Sequence, residues 1–351
     1  MQVLYYNNYD MREAWHNWHE HLGPDQHLYG TNYLAQDGIQ VHILRHKFGK
    51  IRETSRYGNL NQQIRVTLKQ FFYPVIYCGF FNDSFFLTRL ARARFFRSAL
   101  VSVLHHPLER NTETSRAIQA HWKISVLGKK IYAELLALWP EFKDKFVYSP
   151  WGADLQFYPK PNFEPKPDGY ILSIGATRRD FKTLIEAAKK CDRKFVIITP
   201  REIGVARNAV PSNVILHEKT FLSYAETFEF YRDSLAVAVP LDLPGDYRGT
   251  QIGLSSLLEA MAMGRPTIIT QHPLLDIDVQ AEDIGLWTQA QNVGSWIDAI
   301  NKISRDPEKA MEMGRRGRLL CEQKYNTARY GEDLSRLVRT HPAFVAKASV
   351  T

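Results

Sequence analysis

The chain has 351 residues, 44% hydrophobic and 23% charged, the balance of a globular protein too long for one ordinary core and suited to two domains. No apolar run approaches the roughly 18 residues that a membrane-crossing helix needs. The opening stretch from Met1 to Asp10 lacks the basic region and long apolar run of a secretory signal. Three dispersed cysteines, Cys78, Cys191 and Cys321, argue against a disulfide framework or a cysteine-rich zinc site and are expected as reduced thiols in the cytoplasm.

The net charge of +8 is unevenly spread. Residues 1–150 hold 19 Lys and Arg against 12 Asp and Glu, a net of +7, and residues 151–351 are nearly balanced at +1. The basic first half calls for an acidic partner: phosphate, anionic lipid or nucleic acid.

In chain order, strands are predicted at Val3–Tyr6 and Val41–Leu44, with a helical segment over Leu28–Gln36 that ends at Gly38. Val75–Tyr77, Ala99–Leu104 and Phe146–Tyr148 follow as strands. Between them, Phe80 to Arg97 interleaves aromatics with arginines. There Phe85, Leu87 and Leu90 with Arg89, Arg92 and Arg97 have the spacing of a basic amphipathic helix. It reads either as a core-packing helix with a solvated basic face or as a helix lying on an anionic membrane, and the charge of the same domain favours the membrane. No recognised nucleic-acid motif accompanies the charge, so nucleic acid is not the expected partner.

Four prolines between Pro159 and Gly169 mark a linker, because proline fixes φ and removes a backbone donor. A second alternation then begins: strands at Tyr170–Ile174, Phe195–Thr199, Val214–His217, Leu235–Val239 and Thr267–Thr270, with helices at Phe181–Lys190 and Ser255–Met263. Pro307–Thr340 reads as two helices broken near Tyr325 and Asn326. Strands alternating with helices predict parallel sheets covered on both faces, an α/β class.

Two places suit phosphate chemistry. After the strand Tyr170–Ile174 come Gly175, Arg178, Arg179 and Lys182 at a helix start, where backbone N–H groups, the helix dipole and three cations can meet a diphosphate. The spacing is not that of a P-loop. From Gly249 to Thr270, glycines open a helix near Ser255 and Gly264 stops it. Gly253, Leu254, Ser255 and Ser256 offer backbone N–H groups to a phosphate, and Glu259 offers a carboxylate to the two hydroxyls of a ribose.

The stretch Leu257 to Ile268 resembles the signature of the retaining glycosyltransferases of family 4 (group 1), which have the GT-B fold. The family pattern is a Glu, seven residues, a second Glu, then Ala-Met-Ala-x-Gly-x-Pro-x-Ile. Ser149 to Pro159 resembles the turn before the second domain. Ile171 to Ala187 resembles that domain's first strand and helix, and His27–Gly30 with Gly38–Val41 resembles the first helix and second strand of the acceptor domain. The resemblance implies two Rossmann-like domains facing each other across a cleft. The expected limits are an acceptor-binding domain over 1–158, a linker over 159–169, a nucleotide-sugar domain over 170–325, and a closing helix over 326–351 packing back towards the first domain.

The resemblance further implies that Glu259 holds the donor ribose, that Arg178, Arg179 and Lys182 stand among the diphosphate cations, and that His105 or His106 touches the donor sugar. It implies a UDP- or GDP-linked sugar as donor, a glycan or lipid-linked acceptor, retention of configuration, and no cofactor or required metal. The expected location is the cytoplasm, at the inner face of the cytoplasmic membrane if the first domain makes contact there. One position departs from the pattern: the first Glu is Gln251, which can hydrogen-bond hydroxyls but carries no charge for a cationic transition state. The alternatives are a sugar-nucleotide epimerase or hydrolase on the same fold, which would use donor without an acceptor, and a non-catalytic binding or scaffold protein, which Gln251 leaves open.

Overall fold

The computed structural model describes residues 1–8, 10–45 and 59–344. By its contacts the chain divides into two units, one of residues 1–152 with the segment from Thr327 onward, the other of Ala153–Asn326.

The first unit is built on β1 (Gln2–Tyr6), β2 (Gln40–Ile43), β3 (Val75–Cys78), β4 (Ala99–Leu104), β5 (Lys123–Val126) and β6 (Phe146–Tyr148). All neighbours are parallel, in the order β2-β1-β3-β4-β5-β6. The second unit repeats the plan with β7 (Tyr170–Ile174), β8 (Phe195–Ile198), β9 (Val214–His217), β10 (Ser234–Val239), β11 (Thr267–Thr270) and β12 (Gly285–Thr288). Its order is β12-β11-β10-β7-β8-β9, again parallel throughout. Central strands such as β3, β8, β10 and β11 are buried at every residue, which is why they read as continuous apolar runs rather than alternations.

In the second sheet the chain winds outward from β7 through β8 to β9, then returns to β10 on the other side of β7 and winds to β12. The reversal leaves a crevice at the carboxyl ends of β7 and β10, the place where open doubly wound sheets take ligands. The core beneath it is aliphatic, with Leu184, Ile185, Ile197, Ala236, Ile268 and Ile300 fully enclosed or nearly so. A buried arginine fastens the helix that flanks this crevice. Arg318 Nη1 donates to the carbonyls of Ala262 (2.7 Å), Tyr158 (3.3 Å) and Pro159 (3.4 Å), and its Nε pairs with Glu322 at 2.8 Å. The proline-rich stretch after Tyr158 carries no helix or strand, and its Pro161 and Phe163 rest against Gly264 of the same unit.

Three features differ from the sequence reading. The segment Leu28–Gln36 is not one helix but two short 3-10 turns, Gln26–Leu28 and Leu34–Asp37. Tyr29 and Gly30 between them lie in the left-handed region (φ 49° and 74°), which no α-helix accommodates. Strands β5 and β12 escape the apolar-run criterion because β5 carries Lys123 and Ser125, and β12 opens on Gly285. A Cβ at Gly285 would collide with the Thr267 carbonyl of β11, so glycine is required for the strands to pair there. Finally, the helix Phe85–Arg92 turns its apolar side inward: Leu87 is fully buried in the first core with Leu90 packed against it. The core-packing alternative therefore describes this helix, and only its arginines look outward.

The segment from Thr327 onward completes the first unit. The Tyr330 hydroxyl bonds Tyr77 (3.2 Å) and Ser125 (3.1 Å) of the sheet, and Ser335 and Arg339 hold Asp37. Backbones meet at Gly30 and Gly331, where a Cβ on Gly30 would lie 2.9 Å from the Gly331 Cα and one on Gly331 would lie 2.5 Å from the Tyr33 ring. Gly331→Ala should therefore lower stability by about 1–3 kcal/mol, the range for overpacking a close contact. Gly245→Ala, where nothing lies within 4 Å, should change it little. Urea unfolding midpoints of the two variants provide the comparison.

Candidate functional site

The site is assembled where β7 ends. Gly175 follows the strand at φ 148°, and the guanidinium of Arg179 lies directly over it. A Cβ there would sit 2.7 Å from Nη2 and 2.8 Å from Nε. Arg179 Nη2 donates to Ser256 Oγ at 2.8 Å and Nη1 to the Thr177 carbonyl at 2.9 Å, while its Nε is buried without a partner. A buried donor left without a partner on a half-buried cation is rare and costly, and an anionic acceptor would satisfy it. Burial pulls the Arg179 pKa down to about 10, with Tyr231 and Glu259 opposing the shift, so the side chain stays charged at neutral pH.

The loop after β10 zips onto this turn. Asp180 N donates to the Pro240 carbonyl (3.1 Å) and Asp242 N to that of Arg178 (2.9 Å). Arg178 itself is left-handed (φ 48°), donates to the Asp242 carbonyl at 3.0 Å and stacks over Tyr247 at 5.6 Å. Lys182 is exposed on the first turn of the helix Phe181–Ala188. That helix start differs from its sequence reading: the Asp180 side chain caps it by accepting from Thr183 N at 3.1 Å. A carboxylate already occupies the position, so this helix offers cations rather than free amides.

Free amides come from the other helix. Leu254–Ala262 begins at Gly253, which sits at φ 85° and brings no side-chain cap, leaving the first turn around Ser255 and Ser256 uncapped. Ser256 is drawn to the end of β7 by Arg179 and the Ile174 carbonyl (3.4 Å). The bond from Arg179 to Ser256 thus joins the turn that carries Arg178 and Lys182 to the helix start at Gly253, Leu254 and Ser255.

Glu259 lies one turn further along, enclosed by Tyr158, Tyr224 and Tyr231. The Tyr231 hydroxyl donates to its Oε2 at 3.0 Å. Burial pushes its carboxyl up to about 7, against the opposing hydrogen bond from Tyr231 and the charge of Arg179. Gln251 is engaged elsewhere: its Nε2 donates to the Leu274 carbonyl at 2.5 Å, a bond that a carboxylate in its place could not make.

A cavity of 560 Å³ opens beside these groups, bounded by Arg178, Arg179, Lys182, Thr199 and Arg201 with Glu202, Asp242 and Gln291. Sequence reasoning misses Thr199, Arg201 and Tyr231. The first two follow β8, and the rule that ligands gather at strand carboxyl ends would have found them. Tyr231 carries no such signal, being one of many tyrosines until the fold sets it against Glu259. Sequence reasoning also passes over the Asp-x-Asp spacing of Asp276 and Asp278. Asp278 Oδ1 accepts from Gln280 N, Ala281 N and Trp287 Nε1 (2.8 Å), the pattern of a turn. Among the described residues no three metal-binding side chains cluster.

His105 and His106 belong to the first unit, at the carboxyl end of β4. His105 Nε2 meets the Gly79 carbonyl at 3.0 Å, and the ring packs against Tyr29 and Phe80. Burial lowers its pKa to about 4, so the ring is neutral and donates through Nε2. His106 also stacks on Phe80, with a buried Nδ1 that lacks a partner.

Comparison with known proteins gives the geometry a context. Residues 156–320 match the family model of Glycosyl transferases group 1. No curated protein matches the sequence. Among solved structures, sucrose-phosphate synthase from Thermosynechococcus elongatus superposes with a TM-score of 0.72 at 16% identity, over 99% of this chain and 100% of that one. A glycosyltransferase from Rickettsia africae gives 0.67 at 10% identity, over 96% and 97% of the two chains. Anabaena HepE in complex with UDP gives 0.65 at 12% identity, over 97% and 100%, and that protein is also known in complex with UDP-glucose. The two parallel six-stranded sheets with their helices are the GT-B fold, and the stretch that resembles group 1 glycosyl transferases, residues 156–320, lies within the second unit.

Proposed function

We propose that this protein transfers a sugar from a UDP- or GDP-linked donor to a glycan or lipid-linked acceptor, with retention of configuration. The observation that carries the reading is the half-buried guanidinium of Arg179, whose buried Nε lacks a partner, beside the uncapped helix start at Gly253. Together they are a receptor for a diphosphate. HepE, similar in fold, is known with UDP and with UDP-glucose bound, which supports a uridine nucleotide as the first donor to try.

In this reading the bond between the sugar's anomeric carbon and the diphosphate oxygen breaks as the acceptor oxygen bonds to the same carbon. The acceptor's proton leaves towards the departing diphosphate. Arg179, Lys182 and the amides near Ser255 and Ser256 stabilise the charge that gathers on that leaving group. Glu259 receives the ribose hydroxyls, and Gln251, fixed by Leu274, lines the sugar end without supplying charge. The direct test is a panel of UDP- and GDP-sugars incubated with lipid and polysaccharide extracts, products read by mass spectrometry. A new glycoside from one donor is expected. Free sugar or an epimerised nucleotide sugar would point to the hydrolase or epimerase alternative. Nucleotide binding without any turnover would favour a binding protein, the alternative that Gln251 supports.

Two further outcomes follow from the site. UDP at a hundredfold excess over its Kd should stabilise the fold by about 2.7 kcal/mol, read as a rise in melting temperature, and Arg179→Met should abolish the rise. Glu259 provides the pH dependence. Its folded pKa, about 7, lies above the ordinary 4.5, so the native state holds a proton that the unfolded chain has lost. Stability of the free protein should fall as pH rises from about 4.5 to about 7, and Glu259→Gln should flatten that slope. Nucleotide binding should move the other way, tightening as the carboxylate forms. The difference between wild type and Glu259→Gln across pH 6 to 8 is the readout, since a terminal phosphate titrates nearby at about 6.

A further inference from the structure

The helix Leu60–Lys69 of the first unit is amphipathic in the reverse sense. Its buried side is carried by Gln62, Gln63 and Val66. Its outer side presents Leu60, Ile64 and Leu68 at successive fourth positions, and Phe71 and Phe72 continue the row. Leu68 is 70% exposed, Phe71 75% and Phe72 72%.

The inward glutamines have defined work. Gln63 Oε1 accepts from Phe86 N (2.9 Å) and Leu87 N (3.2 Å), capping the start of the neighbouring helix. Gln70 clasps a second segment, donating to the Phe95 carbonyl at 2.9 Å and accepting from Arg97 N at 2.7 Å. That clasp ties the backbone of Phe95, itself 71% exposed, to Gln70, the residue that precedes Phe71 and Phe72. The outer apolar side chains contribute nothing comparable to the core, and a patch of this kind on a globular surface has a partner.

Charge identifies the partner. From Leu60 to Arg97 the sequence contains six cations and a single acid, Asp83. Asp83 is buried at 5% exposure, so it does not offset the surface. Lys69, Arg92, Arg94 and Arg97 are all exposed, Lys69 within the apolar row's own helix and Arg94 and Arg97 flanking Phe95 in the chain. Arg89 is the cation already paired, with Glu113 at 2.8 Å. Exposed phenylalanines and leucines on a stretch with an excess of exposed cations match a bilayer surface, with acyl chains beneath anionic headgroups.

We infer that the face made by Leu60–Phe72 and Phe95 docks the protein on an anionic membrane, inserting Leu68, Phe71, Phe72 and Phe95 while Lys69, Arg92, Arg94 and Arg97 meet the headgroups. This goes beyond the transferase reading and does not depend on the donor site, which lies in the other unit. It also places membrane contact on a different face from the inward-turned apolar side of Phe85–Arg92.

The test is co-sedimentation with vesicles of phosphatidylglycerol in phosphatidylcholine and of phosphatidylcholine alone, at low and high salt. Wild type should bind the anionic vesicles at low salt and release at high salt. Changing Leu68, Phe71, Phe72 and Phe95 together to Ser should weaken binding at least about tenfold. Arg92→Gln, Arg94→Gln and Arg97→Gln together should weaken it and flatten its salt dependence. The UDP-induced melting shift, a property of the other unit, should persist in both variants. If the serine variant fails to fold, the arginine variant decides alone. Wild type that ignores anionic vesicles at low salt would overturn the inference, as would a serine variant that binds as wild type does. A dimer by light scattering that the serine variant dissociates, without vesicle binding, would assign the face to a second copy of the chain.

Discussion

Arg179 is the constraint around which the second unit's ligand end is arranged. A guanidinium lying flat across the end of β7 excludes any side chain at Gly175 and reaches Ser256 on the helix Leu254–Ala262. It also biases the carboxyl of Glu259. Each consequence is local, but together they pin one strand end to one helix start. They leave a charged donor facing inward with no acceptor of its own. Burying a cation this way costs stability unless something meets it. An anionic group brought to this strand end would lower that cost, which is the physical basis of the donor site proposed above.

The two units solve the same packing problem with different chemistry. In the second, aliphatic side chains fill much of the space and a buried arginine, Arg318, gathers three carbonyls. In the first, a chain of hydroxyls runs through the interior: Tyr77 donates to the Tyr29 carbonyl and meets Tyr330, which meets Ser125. Burial raises the pKa of both Tyr77 and Tyr330, so they remain protonated donors. Such a network fixes which segment may dock, because a slipped register would leave several hydroxyls unpartnered.

Much of this architecture was legible in the residues. The apolar runs at Tyr170–Ile174 and Thr267–Thr270 define strands whose limits match the structure, because strands buried on both faces leave no ambiguity of period. The break near Tyr325 is equally plain, with helices on either side of it. The misreadings share one cause. Positive φ at Tyr29 is invisible without the glycine pair it serves, and Gly285 looks like a breaker until β11 is beside it. The inward turn of Leu87 depends on a core composed of residues far away in sequence. At the site, the cations and the helix start were readable as a local pattern. The cap by Asp180, the bond from Tyr231 to Glu259 and the contribution of Arg201 come from tertiary proximity alone.

The late return of the chain has a consequence for how the protein is made. Residues 153–326 form one uninterrupted block, whereas the first unit needs Tyr330, Gly331 and Ser335, some two hundred residues beyond its own sheet. During synthesis from the amino end, the first sheet emerges early yet lacks the helix that seals it until the whole of the second unit has been made. The half that appears first is therefore completed last. A chain stopped just after Asn326 would contain all of its second unit yet leave the tyrosine layer of the first unsealed, exposing surface that the finished fold covers.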